Sequence, residues 1–352
     1  MAWPQRQPMA QDELAGRLRQ AEVVIVGEVH PHPEHHRIQQ KILEIMAGQG
    51  GSLSVGIEWL DHQSQPACDR LSAGEITVEE FARQANWAKK WGYPLDLYLP
   101  ILQRVRDGRL RLIALNAPAA VVQKLARQGL KSLDPDERAQ LAPALDLNDA
   151  PYARQIESQF KGHGLKGPAA QKNFLAAQIA RDETMAHYLA QGLEPWPDGG
   201  KRAVVFAGAG HMSHGLGLLP RLKRRLPGAA LLTVLPVSPE EAEALWQDAS
   251  GAPPADLLVI ASAAAARPSR LGLTFSPVAE GLKVTQVAPQ GPAARAGIRA
   301  GDILAGIDGE RIRQVKDIHR ALKAAPFAPH RFHLKRGEED LLLTVTLPEP
   351  GK

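Results

Sequence analysis

Four of the chain's 12 histidines, His30, His32, His35 and His36, fall in the stretch VVIVGEVHPHPEHHRIQQ (Val23 to Gln40), together with Glu28 and Glu34. Imidazoles and carboxylates this close can move protons, hold a metal ion or bind an anionic ligand. Further polar groups stand behind other apolar runs: Glu58 after LSVGI, Asn116 after LRLIAL, and His211 and His214 after RAVVFAGAG. Each sits where a buried strand would end. They can act together only if the strands lie parallel, because ligands of open α/β sheets bind in the crevice beyond the carboxyl ends of the strands.

The elements that would position them read as follows. AEVVIVGE, SLSVGIEW, LRLIALNAP, RAVVFAG and ALLTVLP have the apolar content of buried strands. Between them lie PEHHRIQQKILEIMAG, a helix with Ile38, Ile42, Leu43, Ile45 and Met46 facing inward, a helical stretch from Val78 to Val105 rich in Trp and Tyr, and a largely helical segment over 134–193. This alternation predicts an α/β domain over 14–240, a mainly parallel sheet flanked by helices. SGAPPADLLVIASAAAARPSR mixes a Gly/Pro hinge with a short strand-like run and an Ala-rich stretch, which places a linker over 241–268. The short strands GLKVTQV, HRFHLKR and DLLLTVTL, with a helix near VKDIHRALK, predict a small β-rich domain over 269–350.

Composition bounds the functions. A chain of 352 residues with 44% hydrophobic content can bury a full core, and its length suggests two domains. A net charge of +4, from 42 basic and 38 acidic residues, gives no indication of a nucleic-acid partner. The single cysteine, Cys68, excludes an internal disulfide, a CxxC metal site and an iron–sulfur cluster held within one chain. No apolar run approaches the roughly 18 residues of a membrane span. MAWPQRQPMAQDEL lacks the regions of a signal peptide, which fits a cytoplasmic chain or an exported one whose signal has been removed.

Two chemistries suit the strand-end set. His30, Glu58 and His211, arriving from separate strands, suit a divalent ion with an open position, where Glu28 could activate a bound water. The same groups could instead orient the carboxylates of a larger ligand. Spacing leaves both open. His32 and His36 are four apart and share a face if the helix begins early, as do His35 and Gln39. Trp87, Trp91, Tyr93 and Tyr98 read either as core at helical spacing or as a pocket lining, and Tyr93, between Gly92 and Pro94, is the better placed of the tyrosines to project.

GEVHPHPEHHRIQ, GIEWLD, WGYPLDLYLPIL, IALNAP, QIARDETMA and FAGAGHMSHGLGL, in this order, resemble the successive motifs of the ChaN-like haem-binding uptake family, within the superfamily that includes the Tiki metalloproteases and erythromycin esterases. The resemblance implies an α/β fold, a role in iron and haem acquisition with haem-transport components as partners, and a homodimer that holds haem between subunits with tyrosine ligation. It also implies a periplasmic or outer-membrane-associated place in the cell envelope. Family members typically begin with a lipidated cysteine, and no cysteine precedes Cys68 here. On this reading Tyr93 is the candidate iron ligand, and His35, His36, Arg181, His214 and Asn116 contact the cofactor. Arg181 would pair with Glu28, with Glu58 or with a propionate, and Asp182 would orient His211. A protonated His35 or His36 at the helix N-terminus would add to its preference for an anion. The wider superfamily instead implies hydrolysis by Glu28, His30, Glu58 and His211, with a divalent metal ion as the alternative cofactor.

The C-terminal part, RLGLTF followed by VAPQGPAARAGIRAGDILAGIDGERI, resembles a bacterial PDZ domain of the kind appended to periplasmic proteases. That implies a peptide or protein C-terminus as partner, its carboxylate received by the backbone of Leu271, Gly272 and Leu273 while the peptide adds as a strand.

Overall fold

The computed structural model describes residues 9–160, 167–193, 202–247, 253–261, 271–278, 280–287, 291–313, 315–322, 325 and 327–347. The chain divides into two compact units, Met1–Ala263 and Ala264–Lys352. Of the segment read as linker, 248–252 and 262–268 lie outside the described residues, as do 269–270 and 348–350 of the small C-terminal domain.

In the first unit β1 (Val23–Glu28), β2 (Leu53–Asp61), β3 (Arg111–Asn116), β4 (Arg202–Gly208), β5 (Leu231–Val237) and β6 (Leu257–Ile260) form one sheet in the order β3-β2-β4-β1-β5-β6. Every pairing in it is parallel. Parallel strands need helical crossovers, which cover both faces, so β1 and β2 are buried at every position and read as continuous apolar runs. β6 lies inside the stretch read as linker. Four residues between a Pro pair and an alanine run carry too little periodicity to stand out, yet they pair with β5 from Val234↔Leu257 to Val237↔Ile260.

The period of two decides which way the strand ends point. Val24 and Val26 share a core with Ile42, Leu43 and Met46 of the helix Pro33–Ala47. Val23 and Ile25 pack on the other face, with Met185, Ala186 and Leu189 of the helix Pro168–Gly192. Glu28 therefore leaves β1 on the first face. On β2, Val55, Ile57 and Trp59 belong to the first core, so Glu58 leaves on the second. Two carboxylates thus emerge at one sheet edge on opposite faces.

The helical stretch expected from Val78 to Val105 is broken into Val78–Gln84, Trp87–Lys90, a 3₁₀ turn at Leu95–Leu97 and Leu99–Asp107. Asn86 (φ 53°) and Gly92 (φ 80°) take the left-handed conformation that these residue types tolerate, and Pro94 cannot donate to a helical ladder. Among the described residues no helix is long and apolar enough to cross a membrane.

In the second unit β7 (Leu273–Val278), β8 (Gly281–Val287), β9 (Ile303–Ile307), β11 (Pro329–Arg336) and β12 (Glu339–Thr346) form an antiparallel sheet in the order β12-β11-β9-β8-β7, with β10 (Glu310–Arg311) on β9. His330, Phe332 and Leu334 of β11 turn inward and Arg331 and His333 outward, the alternation of a sheet with one buried face. Leu271 and Leu273 are themselves in the core, with Val284, Leu304, Ile318 and Phe332. Gly272 between them has φ 78°, a conformation closed to proline. Among the described residues β7 pairs on one side only, with β8, which leaves its other edge open.

Candidate functional site

Glu28 is buried at the end of β1, and a buried carboxylate must be supplied with donors. The helix Pro33–Ala47 supplies them by making its inner face polar in its first two turns: His35, His36 and Gln39 are buried where Ile42, Leu43 and Met46 continue the same face. Gln39 Nε2 donates to Glu28 Oε2 (2.6 Å), and His30 Nδ1 donates to Glu28 Oε1 (2.7 Å). His36 joins Gln39 Oε1 (3.0 Å) to the His30 carbonyl (2.8 Å), which also accepts from the Tyr98 hydroxyl (3.1 Å). The turn carrying His30 is thus tied at its backbone and at its ring. With Nδ1 committed to Glu28, the His30 Nε2 is the atom turned toward β4.

On the opposite face Glu58 is the hub. Its Oε1 accepts from Arg181 Nη2 (2.6 Å) and lies 3.2 Å from His211 Nε2, and its Oε2 accepts from the Gly208 amide (2.6 Å). The other nitrogen of His211, Nδ1, donates to Asp182 Oδ1 (2.6 Å). Asn116, ending β3, donates to the Glu58 carbonyl (2.9 Å) and accepts from Arg181 Nε (3.3 Å). Burial of the His211 ring opposes its charge, but Glu58 and Asp182 overcome this and raise its pKa to about 9. Burial likewise opposes ionisation of Glu58, and His211, then Arg181 and His30, override it and hold the carboxyl well below its usual range. Gly217 (φ 63°) lets the following turn pass beneath this pair, since a Cβ there would lie 2.4 Å from the His211 carbonyl oxygen.

The two halves meet at Gly208, the last residue of β4, which lies between β2 and β1. A Cβ on Gly208 would stand 2.8 Å from His30 Cε1, 3.2 Å from His30 Nε2 and 3.4 Å from Glu58 Oε2, so glycine is what lets the imidazole approach Glu58. The His30 ring, 27% exposed, meets Trp91 edge-on (4.6 Å between centroids) and Tyr93 at 5.2 Å. The broken helical segment therefore forms the mouth of the crevice. Tyr93 is partly exposed there, its hydroxyl pKa raised by burial and then by Glu28 and Glu58, whereas Tyr98 is fully buried.

The structure brings together Glu28, His30, Glu58, Asn116, Arg181 and His211, with Tyr93 at their rim. His214 is exposed on the next turn, left-handed (φ 59°), its amide donating to the Pro254 carbonyl (2.9 Å). The expectation of a protonated His35 is corrected. Its Nδ1 accepts from the Val29 amide (3.0 Å), and burial, with His32 and His36 nearby, lowers its pKa to about 3, so the ring is neutral at physiological pH. His36 is buried and bonded at both nitrogens, and so works from inside the fold rather than on a ligand. Gln39 is the partner missed as a functional residue; its signal is its place four residues after His35 and three after His36, on the face that carries Ile42 and Met46.

The set His30, Glu58 and His211 does not fit a divalent ion. Both nitrogens of His211 face carboxylates as donors and offer no lone pair, and Glu58 is already surrounded by Arg181, His211 and an amide. Among the described residues no group of three His, Cys, Asp or Glu side chains is arranged to hold a metal.

Comparison with known proteins agrees with this architecture. A family model described as haem-binding uptake, Tiki superfamily, ChaN matches residues 14–222, and a PDZ-domain model matches 283–336. A structure of ChaN of Campylobacter jejuni, described as showing cofacial heme binding to that protein, is similar in fold, with a TM-score of 0.55 at 17% identity over 72% of this chain and 92% of that one. Protein RETICULATA-RELATED 5, chloroplastic, of Arabidopsis thaliana is 26% identical over 244 residues, 62% of this chain and 31% of that protein. Serine protease HTRA1B of Danio rerio is 35% identical over 75 residues, 21% of this chain and 15% of that protein. The chain thus spans less than a third of the length of either curated relative. With more than half of its residues matched by the family model, the chain belongs to the ChaN family of haem-binding uptake proteins in the Tiki superfamily and carries a C-terminal PDZ domain.

Proposed function

We propose that this protein binds haem at the carboxyl edge of its parallel sheet, with Tyr93 as the iron ligand, and serves haem or iron acquisition in the cell envelope. The observation that carries the reading is the rim: a partly exposed tyrosine whose ring packs beside Trp91 and His30, in a chain of a haem-binding family. A tyrosine oxygen suits ferric haem iron. Trp91 and the half-exposed Val29 offer apolar surface to a porphyrin, while Arg181 and His214 are the donors nearest in kind to its propionates. A porphyrin has two faces and this rim contacts one, so a second copy of the chain completes the site as a homodimer. Titration of the full chain with hemin tests this: a Soret band that saturates, with a shift to the dimer on gel filtration, is expected, and an unperturbed hemin spectrum removes the reading.

The PDZ domain is proposed to receive a peptide C-terminus at Leu271–Leu273, the peptide adding to the open edge of β7 and tethering the haem-binding unit to haem-transport components. Because Gly272 has φ 78° and proline is fixed near −65°, Gly272→Pro should abolish capture of peptides with an apolar C-terminus in an anisotropy titration. Hemin binding should be untouched. Peptide binding at unchanged affinity would dissociate this loop from recognition.

A second reading has its own observation. Glu28 holds His30 Nδ1 and leaves Nε2 toward the crevice, the orientation of a general base that acts on a water or hydroxyl without a metal. On that reading a panel of ester and peptide substrates is cleaved by the full chain, and His30→Ala cuts the rate by at least the roughly 100-fold typical of a lost general base. Cleavage that survives His30→Ala would assign it elsewhere.

A further inference from the structure

We propose that Arg181 is a built-in substitute for a metal ion, so that the strand-end crevice assembles around a guanidinium and needs no divalent cation. Charge balance and donor supply at the crevice point to this whether or not haem binds at the rim. Glu58 and Asp182 are buried to 1% and 0% exposure, and buried carboxylates must be neutralised by partners held close. Each has one cation. Arg181 Nη2 lies 2.6 Å from Glu58 Oε1, and His211 Nδ1 lies 2.6 Å from Asp182 Oδ1 while its Nε2 bridges back to Glu58. The charges of these four groups cancel with nothing added. A divalent ion would have to displace Arg181 from Glu58 and strip a proton from His211 before finding two ligands.

Arg181 is also held as a fixed part rather than a loose counter-ion. Its Nε donates to Asn116 Oδ1, and that oxygen is aimed by the Ala117 amide (2.9 Å) while the Asn116 amide group donates to the Glu58 carbonyl. β2, β3 and the helix Pro168–Gly192 therefore converge on one guanidinium, whose planar fork can serve several oxygens at once where an ammonium cannot. Its side chain keeps 22% exposure, so it is also a wall of the crevice. Helix position places Asp182 directly after it, which makes RD in RDETMAH a single device: one residue neutralises Glu58, the next neutralises the histidine that shares it.

The test uses the full chain with Mn²⁺ or Zn²⁺ as the sole probe. Wild-type protein dialysed against either ion and then against buffer should retain none by elemental analysis, and its thermal midpoint should not rise in the presence of the ion. Arg181→Ala should lower the midpoint by more than about 5 °C, the scale expected for leaving a buried carboxylate unpaired, and millimolar ion should restore at least half of that loss. Arg181→Lys, which keeps the charge but loses the link to Asn116, should fall between the two and stay indifferent to metal, and it serves if the alanine variant does not fold. An ion retained by the wild type and released by Glu58→Gln would overturn the proposal. So would a folded Arg181→Ala protein that no divalent ion stabilises.

Discussion

Replacing His211 with alanine should destabilise the first unit by roughly 3–5 kcal/mol, because it leaves Asp182 without its bonded cation and Glu58 with only part of its donor set. The pH dependence identifies the cause. The His211 pKa rises from 6.5 to about 9 on folding, so its contribution is fully present below pH 6.5 and is lost as pH climbs through 9. At about 1.4 kcal/mol per pKa unit this loss amounts to roughly 3 kcal/mol. Glu58 acts in the opposite direction: its pKa is depressed on folding, so its contribution is present above 4.5 and fades as pH falls below that value. His35, whose pKa burial lowers to about 3, adds stability that is full above pH 6.5 and is withdrawn as pH falls below it, so wild-type stability should peak just above pH 6.5 and decline on both sides. The alkaline decline should vanish in His211→Ala. All six tryptophans lie in the first unit, so denaturant titrations followed by tryptophan fluorescence report on it alone. Parallel pH profiles for the two proteins would mean that His211 is not the group that titrates.

Much of this site is written in the sequence, for identifiable reasons. VVIVGE and RAVVFAG are apolar on both faces, which is what a strand covered by helices on both sides requires, and the parallel order then forces Glu28, Glu58, Asn116 and His211 to one edge. The period of two also fixes that Glu28 leaves with Val24 and Val26. What the sequence withholds is which distant helix covers each face. That Gln39 completes Glu28 and Arg181 completes Glu58 follows from the crossovers, and the latter pair are 123 residues apart.

The misreadings have physical causes too. A histidine in the first turn of a helix ordinarily sits in solvent, where it can charge and attract an anion. His35 instead faces the core and accepts from the Val29 amide, and burial keeps the ring neutral. The helical pattern from Val78 to Val105 was continuous in composition, but Asn86, Gly92 and Pro94 break it. That break is what delivers Trp91 and Tyr93 to His30.

The proposed ligation of haem iron by Tyr93 at the mouth of the crevice can be probed by deleting one oxygen from each of two neighbouring tyrosines. Tyr98 is fully buried and its hydroxyl is spent on the His30 carbonyl, so Tyr98→Phe should cost about 1 kcal/mol of stability and leave the hemin spectrum unchanged. Tyr93 is partly exposed beside Trp91 and His30, and Tyr93→Phe removes the proposed ligand itself. Its effect on hemin affinity should exceed the roughly 10–100-fold that loss of an outer-sphere group costs at a metal site. The measurement is a hemin titration followed through the Soret and charge-transfer bands in wild type, Tyr98→Phe and Tyr93→Phe. A tyrosinate-type ferric spectrum is expected in the first two and its loss in the third. A Tyr93→Phe protein that binds hemin with the wild-type spectrum and affinity would contradict it.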